Sequence, residues 1–207
     1  MSVSHPSIYT IGHSTHPVEW FVQLLQGHGI TAVGDVRSAP YSRMNPQFNR
    51  EALKEALKEA EISYVFLGEE LGARSKDPSC YRNGKVDYEL LARTEPFRSG
   101  LERVQKGAIT QRIALMCAEK DPLDCHRTIL VARKLVERGL LVNHILSDGS
   151  IESHDQSLSR LMQMLRIRED DLFRSREDAI RDAYRKRAEA IAYEEQSDQP
   201  QQSARAL

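Results

Sequence analysis

The sequence lacks the features that would place it in several specialised classes of protein. No apolar run approaches the roughly 20 residues that cross a bilayer, so we predict no membrane-spanning segment. Only three cysteines are present, without regular spacing, which argues against a disulfide framework and indicates the reducing cytoplasm. The opening segment MSVSHP has neither the basic nor the apolar region of a signal peptide, and none is expected.

An excess of one charge is also missing. The formal net charge is −1, so the chain has no overall attraction for nucleic acid, and any affinity for phosphate must be local. Hydrophobic residues make up 40% and charged residues 29% of the 207 residues, which excludes a wholly disordered chain. We predict one α/β domain over residues 1–166, a charged helical extension over 167–195 and a polar, disordered tail over 196–207.

Short apolar runs rich in β-branched residues alternate with segments of helical period, which is typical of a parallel sheet covered by helices. Strands are predicted at 7–12, 31–36, 62–67, 112–117 and 141–146. Helices are predicted at about 17–27, 49–60, 125–137 and 157–165, with a long irregular loop over 68–86. The predicted fold is a three-layer α/β sandwich with a mainly parallel five-stranded sheet, plus a charged C-terminal helix.

Polar residues gather where the predicted strands end. In parallel sheets, ligands bind beyond the carboxyl ends of the strands, where loops lead into helices. Four segments of this kind are rich in polar side chains: GHSTH at 12–16, DVRSAPYSR at 35–43, CAEKDPLDCHR at 117–127 and SDG at 147–149. We therefore expect a polar pocket at this edge of the sheet, which we call the carboxyl edge.

Several of these strings carry a family resemblance. Together, TIGHS at 10–14, DVRSAPYSR at 35–43, LG at 71–72 and CAEKDPLDCHR at 117–127 resemble the signatures of the domain-of-unknown-function 488 family. The resemblance spans roughly residues 7 to 150, judged by the placement of the motifs. It implies a Rossmann-like fold and a role in handling nucleotides or nucleic-acid bases. The charged C-terminal extension lies outside it.

Two carboxylates are the candidate catalytic residues. Asp35 lies two residues before Arg37, so both side chains can point the same way; the carboxylate suits ribose hydroxyls or proton transfer, and the guanidinium suits phosphate. The alternative is a structural ion pair. Glu119 follows the most hydrophobic strand, where partial burial would raise its pKa toward the range useful for acid–base catalysis. Its alternative role is a contact within the loop or with a helix dipole.

The candidate ligand-binding residues are Gly12, His13, Ser14, Arg37, Ser42, Arg43, Cys125, His126 and Arg127. The Gly12 turn lacks the full dinucleotide-binding fingerprint, but its backbone can approach a phosphate or ribose closely. The alternative is that Ser14 or Thr15 simply caps the next helix. Ser42 and Arg43 lie in the acid-free stretch 36–50, which forms a local basic patch.

Cys125 begins a helix, where the dipole lowers a thiol pKa. It can be a nucleophile, a metal ligand with Cys117 and His126, or a packed residue of the turn. Cys117 alone is expected to be a core residue. Because no CxxC pair supplies the usual hinge of a metal site, we predict neither a metal nor a cofactor.

The sequence thus predicts an enzyme that binds a nucleotide-like or phosphate-bearing small molecule at the carboxyl edge. Hydrolysis or transfer at a glycosidic bond fits two carboxylates near a phosphate anchor. The alternative is a non-catalytic regulatory module that binds a nucleotide or another small molecule. An apolar stripe of Phe173, Ile180, Tyr184 and Ile191 on the C-terminal helix indicates either core packing or a homodimer contact.

Overall fold

The computed structural model describes residues 7–168 and 175–195. The strands are β1 (Ser7–Gly12), β2 (Ala32–Asp35), β3 (Ser63–Phe66), β4 (Tyr81–Arg82), β5 (Lys85–Val86), β6 (Ile113–Cys117), β7 (Leu141–Ile145) and β8 (Ile151–Ser153). The helices are α1 (Val18–Gly27), α2 (Arg50–Glu59), α3 (Gly68–Leu71), α4 (Tyr88–Leu91), α5 (Glu95–Gly107), α6 (Arg133–Val136), α7 (His154–Met164) and α8 (Arg176–Ile191). A π-helical segment, Arg127–Ala132, precedes α6 directly.

The central sheet has six strands in the order β3-β2-β6-β1-β7-β8. The first five are parallel, and β8 pairs with β7 in the antiparallel sense. The predicted α/β fold with a mainly parallel sheet is confirmed. The sixth strand was missed because it has only three residues, none of which is fully buried.

Two other elements differ from the prediction. The stretch 68–86 is not one irregular loop, since it contains α3 and the β4–β5 hairpin. Helix α5 was not predicted, because Gly100 and Gly107 weaken its helical pattern. The helix nevertheless begins at an N-cap, where Thr94 accepts a hydrogen bond from the Phe97 amide.

Alternate residues along the strands pack against two separate helical layers, as the period of two in a strand requires. On the first face, Val33 and Met116 pack with the apolar residues of α1 and α2. On the second face, Leu115 and Cys117 pack with residues from α5, α6, α7 and α8. Among the described residues, no helix is long and apolar enough to span a bilayer.

The C-terminal helix packs on its own domain. Ala179, Ala183 and Tyr184 of α8 are buried in the core of the second face, and Ile180 and Ile191 pack against it. Most of the predicted apolar stripe is therefore covered within the chain, while Phe173 and the tail 196–207 lie outside the described residues. The homodimer contact stays a prediction.

A buried hydrogen-bonded chain joins the sheet to α8. Thr10 Oγ1 lies 2.7 Å from His144 Nδ1, His144 Nε2 lies 3.2 Å from His154 Nδ1, and His154 Nε2 lies 2.8 Å from the Tyr184 hydroxyl. Burial lowers the pKa of His154 to about 4. Burial and the neighbouring His154 lower the pKa of His144 well below its ordinary value. Both imidazoles are therefore neutral at pH 7.

We expect this histidine pair to destabilise the fold in acid. The unfolded chain takes up protons near pH 6.5, whereas the folded pair resists protonation, so the free energy of unfolding falls as the pH drops from about 6.5 toward 4. Each histidine contributes up to roughly 1.4 kcal/mol per pH unit in this window. Chemical denaturation at pH 7.5 and pH 5 measures the effect. A His154→Gln variant should show a smaller difference between the two pH values than the wild type; an equal difference would contradict this account.

Candidate functional site

Strand β6 lies between β1 and β2, so its end is the middle of the carboxyl edge. The backbones converge there: the His13 amide donates to the Cys117 carbonyl at 2.9 Å, and the Val36 amide donates to the Met116 carbonyl at 3.0 Å. The polar side chains nevertheless separate into two clusters, because the residues that end the strands point to opposite faces of the sheet.

The first group, which we call the Asp35 cluster, consists of His13, Asp35, Arg37 and Tyr64. Asp35 is fully buried. Its Oδ1 accepts from Arg37 Nε at 2.9 Å and its Oδ2 from Arg37 Nη2 at 2.7 Å. The Arg37 amide and the Tyr64 hydroxyl donate to the same two oxygens, at 3.1 Å and 2.8 Å. This carboxylate has its acceptor positions filled by the protein.

The remaining contacts of Arg37 and His13 are also internal. Arg37 donates to the Phe48 carbonyl at 2.9 Å and, through Nη1, to His13 Nε2 at 3.3 Å. His13 stacks on Phe48 with ring centroids 4.2 Å apart, and its Nδ1 donates to the Ser14 carbonyl at 2.8 Å. Burial lowers the pKa of His13 to about 4, so its imidazole is neutral and can accept from Arg37. The geometry matches the structural ion pair named as the alternative for Asp35.

The second group, which we call the cysteine cluster, consists of Cys117, Glu119, Cys125 and His126. Cys117 lies at the end of β6, and Cys125 and His126 lie immediately before the π-helical segment. The Cys125 Sγ donates to Glu119 Oε2 at 2.8 Å. His126 Nδ1 lies 3.7 Å from each of the two sulfurs. π-Helical turns are rare and are frequent at functional sites.

The cysteine cluster shifts the ionisation of its members. Burial and the neighbouring Cys125 raise the pKa of Glu119. Burial opposes ionisation of Cys125, but its hydrogen bond with Cys117 and the charges of Arg127 and His126 outweigh that cost and hold the pKa of Cys125 well below its ordinary value. The hydrogen bond with Cys125, together with burial, raises the pKa of Cys117 well above its ordinary value. Glu119 is exposed to solvent, but its carboxylate oxygen Oε2 contacts the sulfur of the buried Cys125.

Arg127 holds the backbone of the turn that carries Glu119. It is one of the largest fully buried side chains, and its Nη1 and Nη2 donate to the carbonyls of Glu119 and Lys120 at 2.7 Å and 3.2 Å. Gly12 passes close to the same turn: a Cβ at this position would lie 1.9 Å from the Glu119 carbonyl oxygen. The glycine is required by backbone packing there.

The remaining predicted residues are scattered. Ser14 is partly buried in the left-handed backbone region with φ of 50°, and its amide continues the sheet ladder to the Ala118 carbonyl. Ser42 organises a turn, since its hydroxyl accepts from the Asn45 amide at 3.2 Å. Arg43 is exposed. None of these three belongs to either cluster.

Two cavities flank the segment that follows β2, with volumes of about 500 Å³ and 420 Å³. They share Ser38, Arg74, Ser75 and Lys76, and none of the predicted site residues lines either one. Ser38 lies in the polar segment 35–43, but sequence reasoning missed Arg74, Ser75 and Lys76 because they come from the stretch taken as irregular. It also missed Tyr64, whose hydroxyl lies on a strand with no motif around it.

Comparison with known proteins agrees with the resemblance found in the sequence. The model of a family described as a domain of unknown function, DUF488, matches residues 17–134, which is more than half of the chain and includes the segments 35–43 and 117–127. No curated protein matches the chain. No solved structure matches it either. The chain therefore belongs to the DUF488 family.

Proposed function

We propose that the chain is an enzyme, a hydrolase or transferase, that acts on a nucleotide-like or phosphate-bearing ligand at the carboxyl edge, with Glu119 as its proton-transfer group. The contact between the Glu119 carboxylate and the Cys125 sulfur at 2.8 Å carries the proposal. An exposed acidic residue whose carboxylate is held against a thiol can exchange a proton with a ligand that arrives from solvent.

Glu119 is favoured over Asp35 by accessibility. Asp35 is fully buried and its oxygens already accept four hydrogen bonds, so it can position neighbours but cannot meet a ligand. The two carboxylates also belong to separate clusters, since Asp35 is bound by Arg37 and Tyr64 whereas Glu119 contacts Cys125. Retaining and inverting glycosidases need two carboxyl groups on either side of one bond, about 5–9.5 Å apart, so we base the reaction on Glu119 and the cysteine cluster alone.

The two cavities, which Glu119 does not line, offer groups for a phosphate-bearing ligand. Arg74 and Lys76 line both of them, together with the hydroxyl groups of Ser38 and Ser75. Acidic residues line them as well: Glu195 in the first, and Glu69, Glu70 and Asp77 in the second. Cationic side chains beside hydroxyl donors are the groups that recognise phosphate oxygens.

Arg37, one of the two arginines first predicted for this role, donates to Asp35, Phe48 and His13. Arg127, the other, donates through Nη1 and Nη2 to the Glu119 and Lys120 carbonyls, and both side chains are buried.

A thermal-shift comparison tests the ligand class. Nucleoside 5′-phosphates should raise the melting temperature more than the matching nucleosides, by roughly 5–10 °C at a ligand concentration of about 100 times Kd. Lys76→Ala should reduce this difference. Lys54→Ala, which removes an exposed lysine from α2, serves as the matched control and should keep it. If nucleosides and their 5′-phosphates raise the melting temperature equally, the protein does not recognise the phosphate and that part of the proposal is wrong.

The role of Glu119 is tested on the ligands that such a screen returns. Glu119→Gln keeps the size of the side chain, so the melting temperature should stay near that of the wild type. Product formation should fall by roughly a hundredfold or more, the usual effect of losing a general acid or base. Glu59→Gln, another exposed residue, is the control and should retain full activity. Full activity in Glu119→Gln would contradict the proposal, and stable binding without any product would favour the regulatory module instead.

A further inference from the structure

We propose that Cys117, Cys125 and His126 bind one divalent transition-metal ion of the zinc class. This proposal extends the function proposed above. It rests on that function only for the role of Glu119 in proton transfer. The sequence argued against a metal because it contains no CxxC pair. The fold, however, brings together Cys117 at the end of β6 and Cys125 just before the π-helical segment, which are eight residues apart in the chain.

The distances within the cluster suit a shared metal. One ligand atom from each of the three buried residues lies within 4.8 Å of the others, and His126 Nδ1 is 3.7 Å from both sulfurs. Around a tetrahedral zinc, with Zn–S about 2.3 Å and Zn–N about 2.0–2.1 Å, a sulfur and a nitrogen lie roughly 3.6 Å apart. The two sulfur–nitrogen distances therefore match those of a zinc site.

His126 is oriented as a metal ligand. Its Nε2 lies 3.0 Å from the Val36 carbonyl oxygen, and because a carbonyl can only accept, Nε2 carries the hydrogen. When the ring gives up its second proton on metal binding, the lone pair is on Nδ1, the atom that faces the two sulfurs. Histidines that bind metals are typically fixed in this way, by donating from the other nitrogen to a carbonyl or carboxylate.

The chemistry of the donors selects the metal. Two thiolates and one imidazole favour zinc over the hard cations magnesium and calcium. Both sulfurs bind as thiolates and the imidazole binds through a free Nδ1, so the protons that these three atoms hold are released to solvent on binding, and the two thiolate charges then balance the charge of the ion. The Arg127 amide lies 3.5 Å from the Cys125 Sγ and donates to it, which stabilises negative charge on that sulfur.

Glu119 lies beside the three ligands but is not among the ligand atoms that fall within 4.8 Å of one another. Its Oε2 lies 2.8 Å from the Cys125 Sγ, so a water held by this oxygen can take the fourth position. Three protein ligands with an open fourth position are typical of catalytic zinc sites, where the metal lowers the pKa of a bound water. The exposed Glu119 is then the group that exchanges a proton with that water.

The loop that carries the ligands is held by contacts that do not involve them. Arg127 fixes the Glu119 carbonyl, and Asp121 accepts from the Leu123 amide at 2.8 Å and pairs with Arg160 at 2.8 Å. From α8, Arg187 Nε donates to the Leu123 carbonyl at 2.9 Å. The chain without metal, and its cysteine variants, should therefore fold.

Titration of the metal-free protein with Co²⁺ and Zn²⁺ tests the site. Cobalt bound by thiolates absorbs in the near ultraviolet through charge transfer, and we expect this absorption to saturate at one equivalent and to disappear when zinc displaces the cobalt. Cys117→Ser and Cys125→Ser should each lower the charge-transfer intensity and weaken binding about tenfold or more. Cys80→Ser removes a buried free cysteine outside the cluster and should behave like the wild type.

The alternative is a metal-free cluster in which the Cys117 thiol donates to His126 and the Cys125 thiol donates to Glu119. A wild-type chain that develops no thiolate-to-cobalt absorption in excess Co²⁺ would establish that alternative, whether or not the variants fold. Equal binding by Cys125→Ser and wild type would also overturn the proposal. The absorbance does not depend on turnover, so it separates this inference from the enzymatic one: losing the metal leaves the Glu119→Gln result standing, and the reverse also holds.

Discussion

Replacing Asp35 with asparagine is expected to lower the free energy of unfolding by about 3–5 kcal/mol, the usual cost of breaking a buried ion pair. Asp35 and Arg37 are joined by two charge-assisted hydrogen bonds of 2.9 Å and 2.7 Å, and both are buried. The side-chain NH₂ group of the asparagine would face the donors of Arg37 and Tyr64. The Arg37 guanidinium would also be left without a counter-charge. In thermal melting, the loss corresponds to roughly 6–20 °C for a chain of this size.

The control is an ion pair in solvent. Lys58 and Glu55 lie 3.4 Å apart on α2, with 74% and 64% of their side chains exposed, and such pairs contribute little to stability. Glu55→Gln should therefore shift the free energy of unfolding by less than about 0.5 kcal/mol. Combining Asp35→Asn with Arg37→Met should recover part of the loss, because no buried charge then remains unpaired. An Asp35→Asn protein that melts like the wild type would contradict the structural role and make Asp35 a candidate catalytic residue again.

The layers of the fold could be predicted because they follow from local patterns. Apolar β-branched runs identified every parallel strand, and helical periodicity identified α1 and α2. The elements that were missed are those in which tertiary contacts outweigh a weak local pattern. In α5, Gly100 weakens the helix, but a Cβ there would lie 2.7 Å from the Glu70 Cβ, so the residue is set by close packing against a neighbouring segment.

The gathering of polar residues at the carboxyl edge could also be predicted, but not their division into two clusters. Asp35 and Glu119 both follow the ends of parallel strands, and that placed them at the carboxyl edge. Whether they share a pocket depends on the face to which each points, which in turn depends on strand register. Asp35 is in register with Met116, one residue before Cys117, and that single step puts the carboxylate and the sulfur on opposite faces.

The cavities lay beyond sequence reasoning for a different reason. Arg74 and Lys76 belong to a segment with no periodicity, and their common neighbour Ser38 comes from a distant part of the chain. The Ser38 hydroxyl accepts from the Arg74 amide at 3.0 Å. Such a contact depends on how one loop is folded over another, and composition or spacing carries no information about it.

Gly12→Ala should cause the other large loss of stability. The added Cβ would lie 1.9 Å from the Glu119 carbonyl oxygen, 2.9 Å from its carbonyl carbon and 3.1 Å from Arg127 Nη2. Neither the sheet nor the turn can move easily, because Gly12 is paired with Cys117 in β6 and Arg127 holds the Glu119 carbonyl at 2.7 Å. We expect a loss of at least about 3 kcal/mol, the upper end of the range for overpacking.

Gly27→Ala is the matched control, because the same methyl group is added where it meets nothing within 4 Å. Gly27 is the last residue of α1, and alanine in a helix is favoured over glycine by roughly 0.5–1 kcal/mol, so this variant should be unchanged or slightly more stable. Denaturant titration of the two variants should thus give changes of opposite sign or very different size. If Gly12→Ala folds with near-normal stability, the turn that carries the Glu119 carbonyl must move to make room for the methyl group. Cobalt binding by that variant then shows whether the ligand atoms of the cysteine cluster have moved as well.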